Sequence, residues 1–316
     1  MLLHKKYLLF TILHSIIILT SCFFVIIVTQ TISPDYRQYG FIYEELILQE
    51  SLTDALINFR FEPFFILVFY YLSKILAFTP TFLLIAFTVL LTKYIIFQKF
   101  YKYPFAAWFF YMIMFLPHLE ASQLRTSIGV TFLIYVISTP IPKKYYFFET
   151  IGAASFHLLG FIIIFNRFIR NIIIGLLFIS FGLLAFKLLI AILTSYIPFL
   201  LIYIQNDPTL ASPSLINSNV LIQAVISVCC IINWRNLNYP QKKGAFLIII
   251  GLIIFLILFS FPGISQRIRE ISLLGIFPLI FYNRLSLKLP VLIIYLSLSV
   301  LFVYNSYFLV LRFFNY

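Results

Sequence analysis

Charge is scarce in this chain: charged residues make up 10% of its 316 positions, and only ten of them are acidic. The sequence contains no Gly-rich phosphate loop, no Walker lysine, no His/Cys/Asp cluster with metal-ligand spacing and no Gly-x-Ser-x-Gly elbow. These absences argue against ATP-driven and soluble hydrolytic chemistry, and they predict a protein without a metal or cofactor. The three cysteines (Cys22, Cys229 and Cys230) lie in apolar runs and indicate no disulfide framework.

Apolar residues dominate instead, at 63% of the chain. Runs long enough to cross a membrane recur from one end to the other, and no polar segment is long enough to form a separate soluble domain. The pattern predicts an all-α, polytopic transmembrane helical bundle with roughly ten to twelve spans. Residues 1–316 are predicted to form a single integral membrane domain. The first run, Tyr7–Thr29, is too long for a signal-peptide core and is predicted to be a retained anchor.

The net charge of +12 is explained by short basic connectors between the apolar runs, not by a nucleic-acid surface. Cytoplasmic loops of membrane proteins carry an excess of Lys and Arg, so these connectors and the N-terminus are predicted to lie inside. We therefore expect membrane lipid, and no nucleic acid, around this protein. The connectors are Lys5-Lys6, Lys99/Lys102, Lys143-Lys144, Arg235 with Lys242-Lys243, and Arg284/Lys288.

Six of the ten acidic residues lie between Asp35 and Glu62, directly after the first apolar run. With the N-terminus inside, residues 31–62 form an acidic loop on the outer side. Within it, Leu48–Phe59 places leucines and a phenylalanine at helical spacing opposite an acidic row, which predicts an amphipathic helix on the outer membrane face. An even number of crossings between Lys5-Lys6 and Lys99/Lys102 requires that one of the three intervening apolar runs does not span. Phe64–Phe78 is the best candidate because it is short, and a re-entrant or tilted helix is expected there.

Arginines on the outer side contradict the general charge bias of membrane proteins and need a reason. Arg125 begins an apolar helix on that side, and Arg267 and Arg269 lie in an outer connector. A guanidinium binds phosphate oxygens bidentately, so these arginines suggest a lipid phosphate or diphosphate. The alternative for Arg269 is a side chain that reaches the lipid headgroups. His157, in the outer half of an apolar run, is either a base for a sugar hydroxyl or a hydrogen-bonded buried histidine.

The order of short motifs along most of the chain resembles the EpsG/Wzy-type polysaccharide polymerases. Three positions depart from the usual pattern: Thr126 stands for Gln, Gly129 for Ala, and Leu159 for a small polar residue. The departures leave open how an acceptor is held, and none removes a charged position. The motifs are Asp35-Tyr36 with Tyr39, Glu62-Pro-Phe-Phe65, Leu124-Arg-Thr-Ser-Ile-Gly129, Ala154-Ser-Phe-His157 and Ser265-Gln-Arg-Ile-Arg269.

The resemblance implies a bacterial inner-membrane glycosyltransferase whose site faces the periplasm. It would join undecaprenyl-diphosphate-linked oligosaccharide repeat units into O antigen or a capsular or exopolysaccharide. A flippase and a chain-length regulator of the same pathway would be its partners. The roles implied for the residues are a base for Asp35, Glu62 or His157, diphosphate binding for Arg125, Arg267 and Arg269, and acceptor binding for Tyr36 and Tyr39.

Three other classes stay open from the residues alone. A lipid-linked-oligosaccharide flippase would show two related halves with charges through both leaflets, whereas this chain shows no internal repeat and its outer arginines lie on one side. A polytopic O-acyltransferase would need an early His or Arg pair, which His14 alone does not supply. A membrane scaffold without enzymatic activity is the remaining alternative.

Overall fold

The protein is described here from a computed structural model, which covers residues 13–14, 16–18, 20–21, 34–59, 62–116, 119, 123–139, 151, 180–182, 184, 218–259 and 262–282. Every regular element with bounds in these ranges is a helix, which confirms the all-α class for this part of the chain. The helices are α1 (Pro34–Leu48), α2 (Leu52–Asn58), α3 (Pro63–Ser73), α4 (Phe78–Phe100), α5 (Pro104–Met114), α6 (Leu124–Ser138), α7 (Ser218–Ile232), α8 (Tyr239–Ile257), α9 (Pro262–Ser272) and α10 (Ile276–Phe281).

Two of the described helices are long and apolar enough to cross a membrane: α4 with 23 residues and α8 with 19. At about 1.5 Å per residue they measure about 34 and 28 Å, close to the thickness of a hydrocarbon layer. Helix α3 has 11 residues, or about half that thickness, which agrees with the expectation that Phe64–Phe78 does not span. Several apolar runs lie outside the covered ranges, so the count of roughly ten to twelve spans stays a prediction.

The acidic stretch differs from the amphipathic loop helix predicted over Leu48–Phe59. The predicted continuous helix is interrupted at Ser51, because the Ser51 hydroxyl caps a new helix by accepting a hydrogen bond from the Asp54 amide at 3.1 Å. Leu48 is consequently 79% exposed, and Ala55, not a leucine, is the buried residue of α2. Helix α1 packs into the core, where its Tyr43 is fully buried. Helix α1 is therefore packed against other described helices, and the shorter α2 covers part of the predicted loop helix; the outer location of this segment stays a prediction.

Helices α1 and α3 run side by side and end at the turn that leads into α4. Tyr43 of α1 donates a hydrogen bond to the Leu76 carbonyl in that turn at 2.9 Å. Lys74, which follows α3, donates to the Ile47 and Gln49 carbonyls at 2.9 Å each. Those carbonyls belong to the end of α1, where helix carbonyls have no partner within the helix. The two helices therefore begin together at the opposite end.

The basic ends of several helices meet at one end of the bundle. Helices α4 and α6 run in the same direction, and Tyr101 and Ser138 at their ends share a hydrogen bond of 2.6 Å. The Lys102 amide donates to the Phe281 carbonyl of α10 at 2.9 Å. Lys243, near the start of α8, donates to the carbonyls of Val136, at 2.7 Å, and Thr139. These contacts place Lys102 and Lys243 near one end of the described helices, and the membrane face on which that end lies stays a prediction.

Helix α8 packs against the segment that returns through α9 and α10. It begins with a capping box, in which Asn238 and Gln241 bond each other's backbone. Gly244 then meets Gly275 backbone to backbone: a Cβ on either glycine would collide with the carbonyl oxygen of the other. Small residues allow this close approach, so the hairpin has a fixed register. Because Lys243 at the start of α8 contacts the end of α6, helix α8 runs opposite to α4 and α6.

Candidate functional site

Three helix starts converge in the described structure, and each carries a predicted site residue. Asp35 lies in the first turn of α1, Glu62 is the N-cap of α3, and Arg125 is the second residue of α6. Pro63 follows Glu62 and suits a first helical position, because its missing N–H would have no partner there. The Glu62 carboxylate makes no capping hydrogen bond to its own helix. It is directed at Arg125 instead.

Glu62 and Arg125 form an ion pair that is largely shielded from solvent. Arg125 Nη1 donates to Glu62 Oε2 at 2.7 Å, and the side chains of Arg125 and Glu62 are 17% and 13% exposed, respectively. The guanidinium also lies over the ring of Phe65, 5.9 Å from its centre. Charge-assisted bonds of this kind are strong and orient the cation. Arg125 is thus held in one place, with its charge partly compensated.

Tyr39 belongs to the same cluster. Its hydroxyl accepts a hydrogen bond from the Arg125 guanidinium, and Asp35 lies close enough to act on it electrostatically. The residue is 3% exposed, with Phe65, Phe69 and Phe82 packed around its ring. Burial raises the pKa of the Tyr39 phenol, so it stays neutral at physiological pH. The covered ring favours a role in positioning Arg125 over the predicted stacking on an acceptor sugar.

Tyr36 lies at the edge of this cluster and is half-buried. Its hydroxyl and that of Thr79 share a hydrogen bond of 3.0 Å, and its ring packs against Phe78 and Phe82. The predicted acceptor-binding role of Tyr36 stays a prediction.

A lysine that was not predicted as a site residue lies near Arg125. Lys93 is fully buried in α4 and donates to the Tyr111 hydroxyl at 2.8 Å and the Ser127 hydroxyl at 2.7 Å. Ser127 follows Arg125 by two residues, so the ammonium lies at the start of α6. Ionisable residues inside membrane-spanning helices are costly and mark functional sites. That signal was present in the sequence, because Lys93 is a lone charge within an apolar run.

The contacts of Lys93 also place the cluster along the bundle. Lys93 lies 15 residues after Phe78, or about 22 Å along α4. Helix α6 starts beside it, and Tyr39, which accepts from Arg125, packs against Phe82 near the start of α4, so the cluster lies alongside the first two-thirds of α4.

The other two predicted diphosphate ligands belong to α9. Arg269 is 5% exposed, and its guanidinium lies over the Phe255 ring, 5.6 Å from the centre. Arg267 is half-buried. The contact between Lys243 of α8 and the end of α6 gives a common reference level. Measured from it along each helix axis, Arg125 lies about 20 Å away on α6, and Phe255 lies about 18 Å away on α8. Arg125 and Arg269 are therefore at similar heights in the bundle. Convergence of Arg125 and Arg267 on one diphosphate stays a prediction.

His157 lies outside the described residues, and its role stays a prediction. Among the residues that the structure does cover, no group of three or more His, Cys, Asp or Glu side chains could hold a metal ion.

Comparisons with known proteins agree with the motif order. No curated protein and no solved structure matches the chain. One family model, described as the EpsG family, matches residues 11–316, which is almost the whole sequence. Together with the apolar helices, this match indicates a membrane protein of polysaccharide biosynthesis. The resemblance read from the motifs is confirmed: the chain belongs to the EpsG family.

Proposed function

We propose that this protein is a glycosyltransferase that polymerises undecaprenyl-diphosphate-linked oligosaccharide repeat units into O antigen or a capsular or exopolysaccharide. Membership of the EpsG family supports a polymerase of polysaccharide biosynthesis. The observation that carries the finer proposal is the placement of Arg125, held by Glu62 and Tyr39 where three helices begin. The protein would act in the bacterial inner membrane, with its site open to the periplasm.

The chemistry of this cluster suits an anionic leaving group. Helix starts carry partial positive charge and unpaired N–H groups, which attract phosphate. Arg125 adds a positive charge, partly compensated by Glu62, at one of these starts, and Lys93 lies within one turn of it. A diphosphate that is attached to a membrane lipid brings concentrated negative charge to such a buried site. The site is therefore complementary to a lipid diphosphate.

The reaction joins two lipid-linked molecules. A hydroxyl oxygen of the acceptor sugar attacks the anomeric carbon of the donor, and the bond from that carbon to the diphosphate oxygen breaks. The diphosphate leaves with the electron pair, and Arg125 stabilises its charge. The proton of the hydroxyl passes to a base within hydrogen-bond reach. Removing one preorganised donor of this kind typically lowers a rate by about 10²–10³.

Asp35 is our choice for the base among the described residues. The Glu62 carboxylate is engaged by Arg125 and serves to position it. Asp35 lies in the first turn of α1, near Tyr39, and is half-buried, so part of its carboxylate is open to solvent. His157 remains the second choice. The Arg125 side would thus bind the donor diphosphate, and the start of α1 would receive the acceptor hydroxyl.

The surface polysaccharide of a deletion strain tests this proposal. We expect caps of one repeat unit in place of a ladder of chain lengths, with the ladder restored by the wild-type gene and not by Arg125→Ala at equal protein level. Loss of all surface repeats, with precursor accumulating in the cytoplasm, would indicate a flippase and overturn the proposal. An unchanged ladder that lacks O-acetyl groups would indicate an acyltransferase.

A further inference from the structure

Lys243 is a fully buried cation that the proposed reaction does not use. It lies near the start of α8, and its ammonium donates to the carbonyls of Val136, at 2.7 Å, and Thr139. The centre of the Tyr239 ring lies 5.0 Å from the same nitrogen. An ionised side chain is unfavourable inside a membrane protein, and an apolar side chain of similar size would fill the same space without that penalty. The charge of Lys243 therefore requires a reason beyond packing.

The ammonium satisfies the end of α6. The last carbonyls of a helix have no partner within the helix, and this end carries partial negative charge. From Val136 to Thr139 the end of α6 is buried, so bulk water does not reach these carbonyls. Lys243 bonds two of them and places its positive charge at the end of the helix dipole that favours a cation.

Helix α6 depends on such contacts for its height in the bundle. With 15 residues it is about 22 Å long, shorter than the hydrocarbon layer of about 30 Å that a spanning helix matches. Its own length therefore cannot fix its position across the membrane. The two described helices that are long enough to span, α4 and α8, hold it instead. Lys93 of α4 bonds Ser127 near the start of α6, and Lys243 of α8 bonds its end.

The end that Lys243 holds is connected to Arg125 by a continuous helix. Arg125 lies about 20 Å away, near the start of α6. No proline interrupts α6, so a shift at its end is passed to its start. Helix α8 is itself fixed, because Gly244 meets Gly275 backbone to backbone next to Lys243. A displacement of about 1 Å at a reacting group can lower a rate by about 10²-fold.

We propose that Lys243 is a positioning residue of the polymerase site and acts on Arg125 through α6. The inference rests on the proposed function, in which Arg125 stabilises the leaving diphosphate. Lys243 fixes the end of α6 against α8, while the start of α6 is fixed against α4. Arg125 is thereby held at the height where the Glu62 carboxylate engages it.

A double-mutant cycle for the Glu62–Arg125 pair, measured in two backgrounds, tests the positioning without an enzyme assay. Glu62→Gln, Arg125→Ala and their double variant are compared by thermal unfolding of the full chain in detergent, with and without Lys243→Met. We expect Lys243→Met to reduce the coupling between Glu62 and Arg125 by about half or more, although residues this far apart normally act additively. Lys242→Met is the matched control, because Lys242 is the half-buried neighbour in the same turn, and it should leave the coupling unchanged.

Polymer formation in the complemented deletion strain gives a second readout. Lys243→Met should lower the amount of polymer by about tenfold to hundredfold at equal protein level. In an Arg125→Lys background the same change should cause little further loss, because both substitutions misplace one cationic group. A role of Lys243 in stability alone would make the two losses multiply.

Three results would overturn the positioning role of Lys243. These are an unchanged Glu62–Arg125 coupling in Lys243→Met, multiplied losses of polymer, or equal effects of Lys242→Met, which would assign the loss to net charge at the start of α8. If Lys243→Met does not accumulate, Lys243→Gln keeps a hydrogen-bond donor and loses the charge; a weaker coupling is expected there too, and an unchanged one contradicts the proposal. A deletion strain with the flippase phenotype would overturn the polymerase alone, because the unfolding cycle tests Lys243 without it.

Discussion

Glu62 and Arg125 lie 63 positions apart in the sequence, and their side chains meet at 2.7 Å. The contact joins the N-cap of α3 to the first turn of α6. A capping position normally serves its own helix, and here the carboxylate serves another one. The start of α6, with its arginine, is thereby fixed against the acidic segment of the chain.

The pair can be tested by a double-mutant cycle. Arg125→Ala leaves Glu62 as a largely buried unpaired charge, which should destabilise the fold by about 3–5 kcal/mol and abolish chain extension. The double variant Glu62→Gln/Arg125→Ala should recover most of that stability, without activity. Thermal unfolding in detergent and the polysaccharide ladder are the measurements. Additive losses of stability would show that the two side chains do not interact.

Arg125→Lys separates charge from geometry. An ammonium keeps the charge and cannot form the fork that bridges Glu62 and a phosphate, so we expect shorter chains at a normal protein level. The ladder of a complemented deletion strain gives the chain length. A ladder of normal length would mean that the bidentate geometry is not used.

Lys93→Met should impair both stability and polymer formation. The change removes the donor to Tyr111 and Ser127, and leaving a buried hydroxyl unsatisfied costs about 1–3 kcal/mol. Lys99→Met is the matched control, because Lys99 is exposed near the end of the same helix. Unfolding temperature and ladder length are measured for both. If Lys93→Met behaves like the control, Lys93 has no part in holding the site.

Gly244→Ala and Gly275→Ala should each loosen the α8–α10 hairpin. The new methyl group would overlap the carbonyl oxygen of the other glycine, which cannot rotate away as a side chain could. Such overpacking costs about 1–3 kcal/mol. A Cβ at Gly182 meets nothing within 4 Å, so Gly182→Ala is the control. Unfolding is followed by heating the purified protein in detergent. Equal stability of all three variants would contradict the close approach.

Cysteine labelling tests the predicted orientation. In a chain without its native cysteines, Gln38→Cys should react with a membrane-impermeant thiol reagent on intact spheroplasts, and Lys102→Cys only after permeabilisation. Both positions are exposed in the structure and lie in predicted loops of opposite sides. Labelling in the reverse order would invert the topology.

Much of the site was predictable from the sequence, because charge is rare in it. Asp35, Glu62 and Arg125 stood out against an apolar background, and the order of motifs around them indicated the family that the comparison confirms. The pairing of Glu62 with Arg125 was not predictable, since no local pattern connects positions on separate helices. His157 was predicted on the same grounds, and its place in the site remains to be tested.

Other structural features were not predicted from the sequence, and each has a physical reason. Lys93 is flanked by largely apolar sequence on both sides. The mean hydropathy of the run around it is therefore that of an ordinary membrane span, and the single lysine does not stand out. The break at Ser51 was readable as a cap, but the leucine spacing on both sides of it favoured one continuous helix.

Lys243 and Gly244 are consecutive residues with separate tasks. The lysine fastens α8 to the end of α6, and the glycine sets α8 against the segment that carries Arg269. The distance between Arg125 and Arg269 therefore depends on how these two consecutive residues fix α8 against its neighbours. Inserting one residue between Gly244 and Gly251 would shift the upper part of α8 by about 1.5 Å and rotate it by about 100°. Such an insertion would misalign Arg269 against Arg125 without altering either residue.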